Sequence, residues 1–418
     1  MDFFRFLMSD VLSEPAVLVG LIALIGLIAQ KKPVTECIKG TVKTIMGFVI
    51  LGAGAGLVVS SLSDFANIFQ YAFGIQGVVP NNEAIVSVAQ KSFGKEMAMI
   101  MFFAMVINIM IARFTPWKFI FLTGHHTLFM SMMVAVILAT AGMTGITLIA
   151  VGSLVVGVAM VFFPAIAHPY MKKVTGSDDV AIGHFSTLSY VLAGFIGSKF
   201  GNKEHSTEDM NVPKSLLFLR DTPVAISFTM SIIFLVTCLF AGADAVKELS
   251  GGKNWFMFSI MQSITFAAGV YIILQGVRMV IAEIVPAFKG ISDKLVPNAR
   301  PALDCPVVFP YAPNAVLVGF LSSFAAGLIG MFTLYLLNMI VIIPGVVPHF
   351  FVGAAAGVFG NATGGRRGAI LGAFAQGLLI TFLPVFLLPV LGNIGFANTT
   401  FSDADFGALG ILLGIIVR

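Results

Sequence analysis

Charge is scarce in this chain. Asp, Glu, Lys and Arg make up 11% of its 418 residues and hydrophobic residues 58%, whereas an ordinary soluble domain carries about 25% charged residues. A soluble globular fold is excluded, and a polytopic membrane protein is the expectation. Cysteine is nearly absent too. Cys37, Cys238 and Cys305 stand far apart, so neither a disulfide framework nor a CxxC redox or metal motif can be drawn. No HExxH, GxSxG or GxxxxGK[ST] occurs, and "GNATGGRRG" (360–368) resembles a phosphate loop in glycine content only. An autonomous catalytic site, a nucleotide site, a metal and a cofactor are therefore not expected. The net charge of +4 is spread over short loops rather than gathered in a patch, which argues against nucleic acid as a partner. The start, "MDFFRFLMSDVLSEP", lacks the basic region and cleavage site of a secretory signal. The first apolar segment is thus expected to remain as a helix. Glycine and phenylalanine, by contrast, abound at 43 and 40 residues, as expected where helices pack closely in lipid.

Apolar runs long enough to span lie near 15–30, 41–61, 96–113, 118–140, 143–168, 222–242, 255–275, 315–343 and 369–392; the run 406–417 is too short. Three segments, 62–94, 295–314 and 343–365, mix Pro, Gly and polar residues with short apolar stretches. Irregular backbone in lipid survives only where protein or a watery cavity satisfies it, so these are expected to build a transport site. Val79-Pro80-Asn81 recurs as Val296-Pro297-Asn298, which points to two related halves, 1–200 and 215–418, within one transmembrane domain. Lys31, Lys32, Lys39 and Lys43 follow the first span, placing that end in the cytoplasm and the N-terminus outside. The polar stretch 201–214 reads as a solvent-facing loop between the halves. Apolar spacing over 277–294 reads as a helix lying at the membrane interface.

Ionisable groups inside such segments are costly, so a functional role is their default reading. "LTGHHTLFM" (122–130) holds His125 and His126. Adjacent helical residues point about 100° apart, so one of them, His125, is expected to face a polar cavity. "AIGHFSTLSY" (181–190) repeats the Gly-His pair at His184 and adds the hydroxyls of Ser186 and Thr187. Glu83 and Gln90 in the first interrupted segment, and Asp304 and Asn314 in the second, could accept or donate hydrogen bonds to a hydroxyl-rich ligand. Asp and Asn there could equally cap half-helices.

Taken in order, "IKGTVKTIMGF" (38–48), "LTGH", "AIGH", "QGVRM" (275–279), "AFKGIS" (287–292), "LDC" (303–305), "APNAV" (312–316) and "IIPGVVPHFF" (342–351) resemble the ascorbate-specific IIC membrane component of the bacterial sugar phosphotransferase system. The resemblance covers nearly the whole chain. It implies an all-α inner-membrane homodimer of about eleven transmembrane helices, with re-entrant hairpins. A substrate-holding core domain would move against a V-shaped dimerisation domain, elevator fashion. It implies L-ascorbate or a closely related sugar acid as substrate. A cytoplasmic IIB partner, charged in turn by IIA, would phosphorylate it. Residue by residue it places substrate contacts on His125, His184 and Asp304. Family members carry glutamines after these histidines, where this chain has His126 and Thr127, and Phe185, Ser186 and Thr187; His126 is a further candidate contact, either packed structurally or taking the place of a lost glutamine donor. An ion-coupled transporter using Glu83, Asp304 or the histidines is the alternative.

Overall fold

The computed structural model describes residues 15–74, 77–210, 218, 221–392 and 399–417. Helix α1 (Pro15–Ala29) is followed by α2 (Val34–Phe73), one unbroken helix of 40 residues. Gly74, at φ +67°, ends it, its N–H bonded back to the Gln70 carbonyl, because a left-handed C-terminal residue is cheapest as glycine. The expected span 41–61 is thus part of a longer element, and the break expected over 62–94 falls only after residue 73. Strand β1 (Gly77–Pro80) then meets α3 (Asn82–Phe114), whose start is capped by the Asn81 side chain accepting from Ala84 N at 2.7 Å.

The expected span 118–140 is two elements. Strand β2 (Phe119–Phe121) turns into helix α4 (Gly124–Thr140), so the His pair sits in a helix's first turn rather than mid-span. Helix α5 (Gly145–Thr175) leads to β3 (Ala181–Ile182) and α6 (Thr187–Phe200). After α7 (Thr222–Ala241) and α8 (Ala243–Leu249), α9 runs unbroken from Trp255 to Leu295. The interfacial helix expected over 277–294 is therefore the end of α9, and most side chains that motivated it lie outside the described residues. Strand β4 (Arg300–Leu303), a 3-10 turn over Cys305–Tyr311 and α10 (Pro313–Leu336) follow. Strand β5 (Val341–Ile342), α11 (Val346–Leu391), β6 (Thr399–Thr400) and α12 (Ala404–Val417) complete the chain. Helix α11 breaks at Gly364 and Gly365, the latter at φ +59°, a conformation that glycine adopts without strain.

Six stretches among the described residues are long and apolar enough to cross a membrane: Ser92–Phe114, Gly145–Thr175, Pro223–Ala241, Trp255–Ile272, Pro313–Leu336 and Val346–Leu391. Val224, Phe228, Ile232 and Val236, four apart on α7, are all exposed, which gives that helix an apolar outer stripe. One hydrophobic cluster joins α3, α4 and α5 to α12, and a second joins α2, α7 and α9.

The strands explain how polar backbone survives among these helices. They form two three-stranded parallel sheets, ordered β5-β1-β6 and β2-β4-β3. Strand β1 lies between two strands from late in the chain, and β4 between two from early in it. The registers match throughout. Gly77 pairs with Val341 as Arg300 pairs with Phe119, and Val79 with Thr399 as Ala302 with Ala181. Arg300–Leu303 is therefore the counterpart of Gly77–Pro80. The recurring Val-Pro-Asn is out of register with it, since Val296–Asn298 precede β4.

The polar stretch after α6 is not a free loop. Across 201–210, Asn202 N donates to Gly364 O at 2.8 Å, and Arg366 N to His205 O at 2.7 Å. Glu208 accepts from Asn314 N and Ala315 N at 3.0 and 3.1 Å, capping α10 where its first N–H groups lack partners. Residues 211–214 lie outside the described residues.

Candidate functional site

Both sheets end at one small cavity of about 50 Å³, room for a few water molecules. Its wall includes Asn82 and Glu83 after β1, His125, His126 and Phe129 after β2, and His184 after β3. The later strands deliver Asp304 and Cys305 after β4, Val347, Pro348 and Phe351 after β5, and Ser402 and Asp403 after β6. Each strand directs the first residues of the following helix or turn toward the same point. Helix N-termini, at the positive end of the dipole, suit an anion.

Asp304 is the centre of the histidine cluster. Its Oδ2 lies 3.6 Å from His125 Nε2 and its Oδ1 3.8 Å from His184 Nε2. Both distances are too long for a direct hydrogen bond. The Asp304 side chain is itself fixed by accepting from Cys305 N at 2.7 Å. His184 is buried, with its Nδ1 2.9 Å from the Tyr190 hydroxyl. That contact leaves Nε2 directed at Asp304.

His126 lines the cavity beside His125, contrary to the expectation that only one of the pair would. The first turn of α4 places both rings against the cavity, and His126 packs 3.8 Å, centroid to centroid, from His184. Its Nδ1 accepts from Phe185 N at 3.3 Å. A backbone N–H can only donate, so this ring is held as the neutral tautomer with its proton on Nε2. His126 is thereby an N–H donor.

Two groups could bring metal-ligating atoms within 4.8 Å of one another: His125, His126 and Asp304; and His184, Asp304 and Cys305. The tautomer of His126 argues against the first, because a protonated Nε2 cannot ligate.

The other expected contacts lie elsewhere. Asn314 is outside the cavity wall; its Nδ2 donates to the Thr207 and Met210 carbonyls at 3.1 and 3.2 Å, so it fastens the 201–210 segment. Ser186 and Thr187 also stand behind the wall. Thr187 Oγ1 donates to His184 O at 2.8 Å, and Ser186 Oγ accepts from Ala404 N at 3.2 Å. They hold the His184 loop in place. The side chain of Gln90 lies outside the described residues. Ser402 and Asp403 were missed; their signal was a pair of carboxylates, Asp403 and Asp405, beside a final apolar run. Asp405 accepts from Thr187 N and Leu188 N, both at 2.8 Å, so the end of the chain caps α6.

The family model for EIIC-GAT, a phosphotransferase-system sugar-specific permease component, matches residues 10–405. The chain is similar to a Mycoplasma pneumoniae protein named the ascorbate-specific PTS system EIIC component. They are 27% identical over an alignment covering 98% of this chain and 70% of that protein. Permeases of this family are integral inner-membrane proteins that bind a sugar substrate and work with cytoplasmic IIB and IIA components. The cavity between the two sheets is thus the candidate substrate site of a protein that belongs to the EIIC-GAT family of phosphotransferase-system permeases.

Proposed function

We propose that the protein carries L-ascorbate, or a closely related sugar acid, across the inner membrane and presents it to a phosphorylated IIB partner. The observation that carries this reading is the convergence of His125, His126 and His184 on Asp304. Ascorbate is a monoanion at neutral pH with two side-chain hydroxyls. Imidazole N–H groups and half-helix N-termini suit its ring, and Asp304 suits a hydroxyl placed between it and a histidine. The similarity to the ascorbate-specific Mycoplasma protein supports the same substrate.

The interleaved sheets support two related halves within one domain, approximately 1–200 and 215–418. The cluster of α2, α7 and α9 is the natural dimerisation arm of a homodimer of about eleven transmembrane helices. A cavity of this size must widen to admit ascorbate. That fits an elevator motion, in which the core bearing the sheets moves against the arm.

Proteoliposomes holding the purified protein test the reading. Ascorbate is expected to accumulate only as its phosphate, and only when phosphorylated IIB faces the cytoplasmic side. Accumulation of unmodified ascorbate on a pH gradient without IIB would overturn it. That outcome would favour an ion-coupled transporter, with Glu83, Asp304 or the histidines as coupling groups.

A further inference from the structure

Beside the histidine cluster the same cavity has a second polar wall. Asp403 is 4% exposed, and its Oδ2 accepts from Asn82 Nδ2 and, at 3.3 Å, from the Ser402 hydroxyl. Asn82 is fixed in turn, its Oδ1 accepting from Ser402 N at 2.9 Å. This ring of contacts joins the start of α3 to the turn that follows β6. Oδ1 of Asp403 has no donor among the described residues, and no Lys, Arg or His there lies within 4.0 Å of Asp403 or Glu83. A carboxylate oxygen at a cavity wall is best satisfied by a donor from the cavity. A hydroxyl supplies one; a carboxylate or phosphate would be repelled by Asp403 and Glu83 together.

We propose that Asp403, oriented by Asn82, is a specificity-determining residue that accepts a hydroxyl from the substrate's side chain while the histidines take its acidic ring. This rests on the reading of the site given above. It makes the cavity two-ended: a donor end for an enediolate, and an acceptor end that selects for a free polyol tail. It also explains why a site for an anion keeps carboxylates in its wall.

Calorimetry on the full chain in lipid nanodiscs tests the assignment with three probes: L-ascorbate, its analogue lacking both side-chain hydroxyls, and a neutral hexitol. Asp403→Asn should weaken ascorbate binding by about tenfold or more and leave the deoxy analogue unchanged, which also reports an intact fold. Ser402→Ala, which removes one donor to Asp403 and keeps the carboxylate, should give the same ligand-selective loss at smaller size. Equal losses for both acids, or no loss for either, overturn the proposal. If the wild-type protein binds the hexitol but not ascorbate, the sugar-acid reading falls. Asp403 then stands only if Asp403→Asn weakens the hexitol. Binding of none of the three overturns both.

Discussion

Residues 119–129 and 341–351 hold matching places in the two sheets and carry opposite chemistry. Phe119 lies beside Arg300 as Val341 lies beside Gly77, and each short strand runs into a helix that starts at the cavity. From the first come His125, His126 and Phe129; from the second come Val347, Pro348 and Phe351. The second tip forms the same strand-to-helix turn with no imidazole in the cavity wall, its one histidine, His349, being bonded to the Ser323 hydroxyl instead. The cavity histidines are therefore not needed to make the turn, which supports the binding role proposed for them. The third strands differ in the same way: β3 leads to Gly183 and His184, whereas β6 leads to Phe401 and Ser402.

The sharpest way to break this comparison is to truncate both tips. Changing His125 or His184 to Ala should weaken ascorbate binding by about a hundredfold, the loss of one or two charge-assisted hydrogen bonds. Val347→Ala, the counterpart of His125, should change it by less than about threefold; calorimetry on the folded protein reads both. Stability is tested at Gly183. A Cβ there would fall on the Ala302 carbonyl of β4, and backbone in a sheet cannot withdraw. Gly183→Ala should cost about 2 kcal/mol and lower the Tm in detergent, although the equivalent Phe401 carries a full side chain in the other sheet. An unchanged Tm would show that β3 is less tightly held than its contacts imply. A smaller effect is expected from Tyr190→Phe, which removes the partner of His184 Nδ1. About 1 kcal/mol, or roughly fivefold in ascorbate affinity, is the expected loss, with the Tm nearly unchanged.

The smallest effect concerns the outer edge of sheet β2-β4-β3. Lys172 and Arg300 each lie 2.6 Å from Asp178, as does His168. The twin edge at Gly77 has no such bracket among the described residues. These partners, Lys172 foremost, hold the Asp178 carboxyl well below its ordinary value of 3.8. A depressed folded value stabilises the protein above the unfolded value, and the gain is lost as pH falls through the folded one. The Tm difference between wild type and Asp178→Asn should therefore be constant from about pH 8 to pH 5 and shrink only below about pH 4. It should be small throughout, because the group is exposed to solvent.

Much of the site was legible because buried polarity stands out in an apolar chain. The histidines of the two Gly-His motifs, Asp304 and Glu83 all line the cavity; the first two interrupted segments hold β1 and β4, and the third begins just after β5. The strands themselves were not legible: at two to four residues they are too short for any alternation to register. That is why β2 and α4 read as one span, with the histidines in its middle. Asn314 illustrates another limit. An amide after a proline in a polar-apolar segment reads the same whether it faces a ligand or fastens a connector, and only the position of Thr207 and Glu208 decides between them.

Composition alone determined that this is a membrane protein, because so little charge can be solvated only at short loops while the rest faces lipid or packed helices. Local motifs determined which polar groups had to be protected. The tertiary structure decided where they meet. Strands distant in sequence insert between one another, and that pairing brings Asn82 to Asp403 and both Gly-His loops to Asp304. Such contacts depend on the register between remote segments, and no local stretch of sequence carries that register.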